Sequence, residues 1–280
     1  MFLGIDLGTS AIKLLVINES ESVLAESTIP LDISRPNHLW SEQNPNEWWR
    51  AFLRGIEDLK NQIALSDLNS IGLSGQMHGL VLLDKKGEVL RPAILWNDGR
   101  SNEECFELED AIPELHQITG NQAMPGFTAP KLLWIRKNEN KIFNKISKIL
   151  LPKDFLRFRL CGEAISDVSD SSGTLFMDNA SRDWSEPILE ATTLTKDQMP
   201  RLVEGIDFGG TLRSDLAKDW GIKTTPIIAG GGGDNAAGAI GIGAIEPGDS
   251  FISLGTSGVY FVVNKLFTNN AKMGIHSFCH

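Results

Sequence analysis

The string Leu-Gly-Thr-Ser occurs twice in this chain, at residues 7–10 and 254–257, each time between two short apolar runs. Phe2 to Ile5 lead into the first copy and Ile12 to Ile17 lead out, while Phe251 and Ile252 lead into the second and Val259 to Val263 lead out. Strand, glycine turn, strand is a hairpin, and its tip can offer backbone N–H groups and hydroxyls to a phosphate. Two such hairpins point to a duplicated, two-lobed nucleotide-binding fold. The second copy stands near the end of the 280 residues, so most of a second lobe is expected to be missing from this sequence.

Hydrophobic residues make up 41% of the chain and charged residues 22%, the balance of an ordinary soluble protein. The net charge of −10 is the opposite of the basic surface a nucleic acid requires, though it leaves room for local basic pockets. Cys105, Cys161 and Cys279 are odd in number and far apart, which fits neither a disulfide framework nor a metal knuckle. Reduced thiols in a cytosolic protein are the expectation. Phe2 to Ile5 run straight into Asp6, unlike a signal peptide, and no apolar stretch reaches the roughly 18 residues a membrane span needs.

Apolar alternation predicts three strands in the first 30 residues, over 3–7, 12–18 and 23–29. Asn44-Pro45 opens a helix whose residues Trp48, Trp49, Phe52, Leu53, Ile56 and Leu59 recur at helical spacing. Short strands are expected at 71–73, 80–83, 93–96, 146–151 and 225–229, and helices at 102–111, 129–138, 153–160 and 186–191. Residues 230–233 are expected to turn into an Ala/Gly-rich helix at 235–243, and 246–249 to form a turn that bounds a lobe. Strands mixed with helices in this order indicate an α/β architecture.

Two carboxylates stand where chemistry would need them. Asp234 follows Gly230 to Gly233, four residues that let backbone approach a ligand closely. It reads either as a helix N-cap or as a general base toward a hydroxyl. Asp6 ends a buried strand beside Gly8 and reads either as a turn residue or as a holder of Mg²⁺ through water. Lys13 is either an exposed strand lysine or a charge for a phosphate. Met77 and His78 lie in a glycine-bracketed loop suited to a polyol, and a structural histidine is the alternative. Trp96 and Asp98 suit the mixed faces of a sugar, and helix capping competes for Asp98. No metal-ligand spacing, P-loop, dinucleotide fingerprint or Gly-x-Ser-x-Gly elbow is present.

Three motifs together resemble the FGGY family of carbohydrate kinases. Residues 5–10 resemble its first phosphate motif, 126–138 match its N-terminal signature at each specified position, and 254–258 resemble its second phosphate motif. Within the family, residues 74–79, 91–100 and 151–154 are similar to the members that act on D-xylulose. The run of four glycines before Asp234 is one longer than the family pattern.

The resemblance implies a ribonuclease H-like, actin-like ATPase domain of the sugar kinase/Hsp70/actin superfamily, with a mixed sheet flanked by helices. It implies a sugar-binding lobe at 1–245 and the first hairpin of an adenosine-binding lobe at 246–280. It further implies that Asp234 accepts the proton of the sugar hydroxyl, with Met77, His78, Asn235, Trp96 and Asp98 around a ketopentose. Asp6 would organise Mg²⁺, and Thr9, Ser10, Lys13, Gly255 and Thr256 would face ATP. The expected activity is ATP-dependent phosphorylation of D-xylulose in the cytoplasm. The alternatives are a kinase for ribulose, gluconate or glycerol, or a silent sugar-binding fragment. A homodimer is a further expectation, because the strand edges of a lone hairpin over 249–263 invite pairing with another copy.

Overall fold

The computed structural model describes residues 1–254 and 258–280. A seven-stranded mixed sheet forms its base. Phe2–Leu7, Ala11–Ile17 and Val23–Pro30 form an antiparallel meander, with Asp6 directly opposite Lys13. Ser70–Gly75 then lies parallel to Phe2–Leu7 on its other side, Ile227–Ala229 lies parallel to Ser70–Gly75, and Phe208–Thr211 closes the far edge antiparallel. Gly232–Gly233 adds a short parallel rung against Ser74 and Gly75. Leu3, Ile5, Leu7, Ile12, Leu14 and Val16 alternate inward, as a half-buried sheet demands.

The Pro45–Gln62 helix covers one face of this sheet. It starts where Asn44 accepts the backbone N–H of Asn46 and Pro45 occupies a position that needs no donor. Its inward residues Trp48, Phe52, Ile56 and Leu59 are fully buried, and they meet Phe155 and Leu156 of the Pro152–Cys161 helix in one core. A second core lies under the middle of the chain, where the Asn102–Ala111 and Thr128–Asn138 helices pack with Leu175, Phe176, Met177 and Trp184.

Several boundaries differ from the sequence reading. The run 93–96 pairs only over Ala93–Ile94, and 146–151 only over Lys148–Leu150, where Leu151 already precedes the helix that Pro152 opens. The final helix covers Asp234–Gly241, so Asp234 is its first residue and Gly233 precedes it. Gly232–Gly233, read as pure turn, is a strand rung; this pairing holds the residue before Asp234 against the central strand.

Past the turn at Gly248, Ser250–Leu254 and Gly258–Val262 pair as a two-stranded sheet that joins no other described strand. The last residues fold back on the body. Ser277 donates its N–H to Asn121 Oδ1 at 2.9 Å, and its carbonyl accepts both Asn121 Nδ2 and Asn179 Nδ2 at 3.0 Å. Cys279 N–H donates to Ser172 Oγ at 3.1 Å. No described helix is long and apolar enough to cross a membrane.

Candidate active site

The carboxyl ends of the two central parallel strands bring the site together. Asp6 lies near the end of the Phe2–Leu7 strand, Gln76, Met77 and His78 follow Gly75, and the glycine run carries Asp234 beside them. In an open α/β sheet this end is where ligands bind, since adjacent connections leave in different directions and open a crevice.

The glycine run is needed for that approach. At Gly231 φ is +77°, and a side chain there would collide with the carbonyl of Leu73. Gly233 lies so close to Met77 that a Cβ would stand 3.0 Å from its sulfur. Gly232 is the roomy position, where a Cβ would have Ser169 Oγ as its nearest neighbour at 3.4 Å.

The side chain of Asp234 caps nothing. No side chain caps this helix, and Oδ1 of Asp234 instead accepts the N–H of Asn235 at 2.8 Å and its amide at 3.1 Å. Asp234 is open to solvent on one side, yet the protein around it removes enough water to push its pKa up to about 6. The Asn235 hydrogen bond opposes that rise and the negative Asp6 nearby adds to it. Asp6 is itself raised by desolvation, against the pull of Lys13 across the strand pair.

His78 is held in a strained conformation, with φ +66°. Its carbonyl accepts Thr128 Oγ1 and Lys131 Nζ, each at 3.0 Å, and both donors come from the 126–138 signature helix. Its Nδ1 sits 2.7 Å from Gly173 O and therefore donates, which leaves Nε2 as a bare acceptor. Burial, then the charge of Lys131, takes its pKa down to about 3, so the ring is neutral at ordinary pH. Phe127 packs on the ring at 4.5 Å between centroids. Asn235 turns its amide toward the sulfur of Met77 at 3.9 Å, which ties the start of the Asp234 helix to the loop that carries His78.

Two expected sugar contacts fall elsewhere. Asp98 is 2% exposed, and its oxygens accept the N–H of Ser41 at 2.6 Å and the Arg100 guanidinium at 2.7 and 2.9 Å. It has no oxygen left for a ligand; it anchors Arg100, which lies 3.7 Å over the Trp40 ring. Trp96 gives its indole N–H to Thr9 Oγ1 at 2.9 Å, and Thr9 passes its own proton to Gln76 Oε1 at 3.0 Å. Trp96 thus stands over the first glycine hairpin. Ser10 and Lys13 are exposed there, while Gly255 and Thr256 lie outside the described residues.

Sequence reasoning missed the layer beneath the glycine run. Lys153 is fully buried between Asp154 at 2.7 Å, Asp167 at 2.6 Å and Asp170 at 3.0 Å. Burial works against its charge, and the three carboxylates more than reverse that, holding its pKa above the usual lysine range. Burial pushes Asp170 well above the carboxylate range, against the pull of Lys153. Arg157 grips the carbonyl of Gly230, and Ser169, bonded to Asp167 at 2.5 Å, accepts the N–H of Gly233 at 3.1 Å. Both ends of the run are pinned. The neighbouring charges Lys153-Asp154 were the one sequence signal of this layer.

Among the described residues no three His, Cys, Asp or Glu side chains converge on a metal position. Asp6 offers a single carboxylate, which fits a hard cation that keeps its water and bridges phosphates, and does not fit an all-protein cage.

The mixed sheet carries its glycine turns, a desolvated aspartate and a neutral histidine at its carboxyl ends, where open α/β sheets bind ligands. Residues 1–241 match the FGGY family of carbohydrate kinases, N-terminal domain, and the chain belongs to that family. It is 52% identical to the xylulose kinase of Escherichia coli (strain K12) over all 280 residues, which span 58% of that protein. The xylulose kinase of Bacillus subtilis (strain 168) is 38% identical, with 99% of this chain and 56% of that protein aligned. A crystal structure of a xyloylose kinase from Brucella ovis superposes with a TM-score of 0.96 at 50% identity, covering 99% of this chain and 58% of that one. The fold is the actin-like ATPase fold of sugar kinases, as the motifs implied. The chain spans a little over half the length of these relatives.

Proposed function

We propose that this chain is the sugar-binding part of a cytosolic kinase that transfers the γ-phosphoryl of ATP to the terminal hydroxyl of D-xylulose, giving D-xylulose 5-phosphate. The observation that carries the reading is the grouping of Asp234, raised to about pKa 6, with Met77, neutral His78 and Asn235 at one end of the sheet. The likeness to xylulose kinases at 52% identity supports the choice of sugar.

Asp234 takes the proton as the hydroxyl oxygen forms its bond to phosphorus and the bond to the ADP oxygen breaks. A carboxylate with a pKa near 6 is ionised at neutral pH and holds a proton better than an ordinary aspartate, which suits a general base. Bare Nε2 of His78 accepts a sugar hydroxyl, and Met77 gives the carbon chain an apolar wall. Mg²⁺, when bound, neutralises charge on the phosphates, and Asp6 is the residue that would hold it. Thr9, Ser10 and Lys13 meet the phosphates, with Gly255 and Thr256 from the second hairpin. We read residues 1–245 as the sugar lobe and 246–280 as the start of the adenosine lobe.

The test is a substrate panel on the chain joined to the C-terminal part of its Escherichia coli relative. D-xylulose is expected to give a kcat/KM at least about tenfold above L-ribulose, D-gluconate and glycerol, a difference of about 1.4 kcal/mol. A higher value for any of the other three would overturn the choice of sugar, and no ADP release with any of them would overturn the kinase.

A further inference from the structure

Residues 276–279 lie beyond the 1–241 family match, yet they pack against the residue we place at the sugar. Buried Asn121 and Asn179 hold them by the backbone of Ser277 through the bonds described above. The anchored segment delivers two rings to His78. Phe278 lies 6.1 Å from the His78 ring and 6.4 Å from Phe127, and His276 lies 5.2 Å from Phe127. Phe278 keeps 38% of its surface exposed, although residues on both sides of it are fixed.

The polarity around these rings is uniform. His276 Nδ1 lies 3.2 Å from Asn121 Oδ1, the same oxygen that accepts the N–H of Ser277. Nδ1 therefore carries the hydrogen and Nε2 is bare, as in His78. Desolvation lowers the pKa of His276, which keeps this ring neutral too. The cation nearest His78, Lys131, is turned away to the carbonyls of His78 and Ile94 at 3.0 and 3.4 Å. A ligand against these rings meets bare nitrogens and flat apolar faces. Hydroxyl hydrogens and C–H faces satisfy that set.

We propose that segment 276–279 completes the sugar site, with Phe278 covering the carbon face of an uncharged ketose and His276 Nε2 accepting one of its hydroxyls beside His78. This rests on the reading of the cleft as a sugar site.

Calorimetric titration of the 280-residue chain with D-xylulose tests both the site and the segment. The wild-type chain is expected to bind D-xylulose. Phe278→Ala is expected to weaken the ketose about tenfold, as loss of one aromatic contact does. Phe278→Leu, which keeps the packing volume, is expected to weaken it about threefold without a change in melting temperature. In wild-type chain, the ¹⁵N resonances of Nε2 in both His78 and His276 are expected to move when D-xylulose is added.

No ketose binding by wild type overturns the sugar-site reading itself. Ketose binding that His78→Ala abolishes but both Phe278 variants retain within twofold overturns the role of the segment alone. So does a shift confined to His78.

Discussion

Asp234 prefers its proton more than an unfolded aspartate does, and that preference acts on both rate and stability. As the base it must be ionised, so kcat/KM is expected to rise through about pH 6 and level off above it. Because Asp6 adds to the rise, Asp6→Asn is expected to move the Asp234 titration to lower pH, read by ¹³C NMR of its carboxyl carbon; an unmoved midpoint contradicts the pairing. For stability the sign is reversed. The folded pKa lies above the unfolded value of 3.8, so the folded state binds the proton more tightly, and stability is lost as pH climbs from 3.8 to about 6. Asp234→Asn removes that loss. Its melting temperature is expected to exceed wild type by about 1–2 °C at pH 7.5, after allowance for solvent on the open side, and to equal it below pH 3.5. Asp234 and His78 stand out in the sequence because each adjoins a glycine that breaks the apolar pattern, and Asn235 and Met77 are their neighbours. Asp98 was misread for a physical reason: a carboxylate at a strand end looks the same in sequence whether it faces a ligand or a buried Arg100.

At the scale of elements, the strands and the long helix followed from apolar period alone, since Leu3 to Val16 alternate and Trp48 to Leu59 recur at helical spacing. The pinning of the glycine run did not. Lys153, Asp154, Asp167 and Asp170 come from two segments that only the fold brings together. Lys153→Met leaves the Asp154 and Asp167 carboxylates buried without their partner and is expected to cost about 3–5 kcal/mol in urea unfolding. A loss under 1 kcal/mol would show that the cluster is not the clamp described. Within the run itself, Gly231→Ala is expected to be severely destabilising and Gly232→Ala mild, because only the first meets a carbonyl at positive φ.

Across the whole molecule, the body built on the sheet is well packed, while the hairpin Ser250–Leu254 and Gly258–Val262 leaves Ile252, Leu254 and Tyr260 exposed and its strands paired only to each other. Open edges with apolar side chains recruit further strands. Light scattering is expected to show association that grows with concentration, and a strictly monomeric chain at high concentration contradicts it. The central claim is that the crevice at the carboxyl ends of the sheet phosphorylates a ketose with Asp234 as the base. The most direct measurement is D-xylulose turnover by the chain joined to its relative's C-terminal part, wild type against Asp234→Asn. The account predicts a fall in kcat of about 10³-fold with KM changed less than about threefold; a variant within tenfold of wild-type kcat would contradict it.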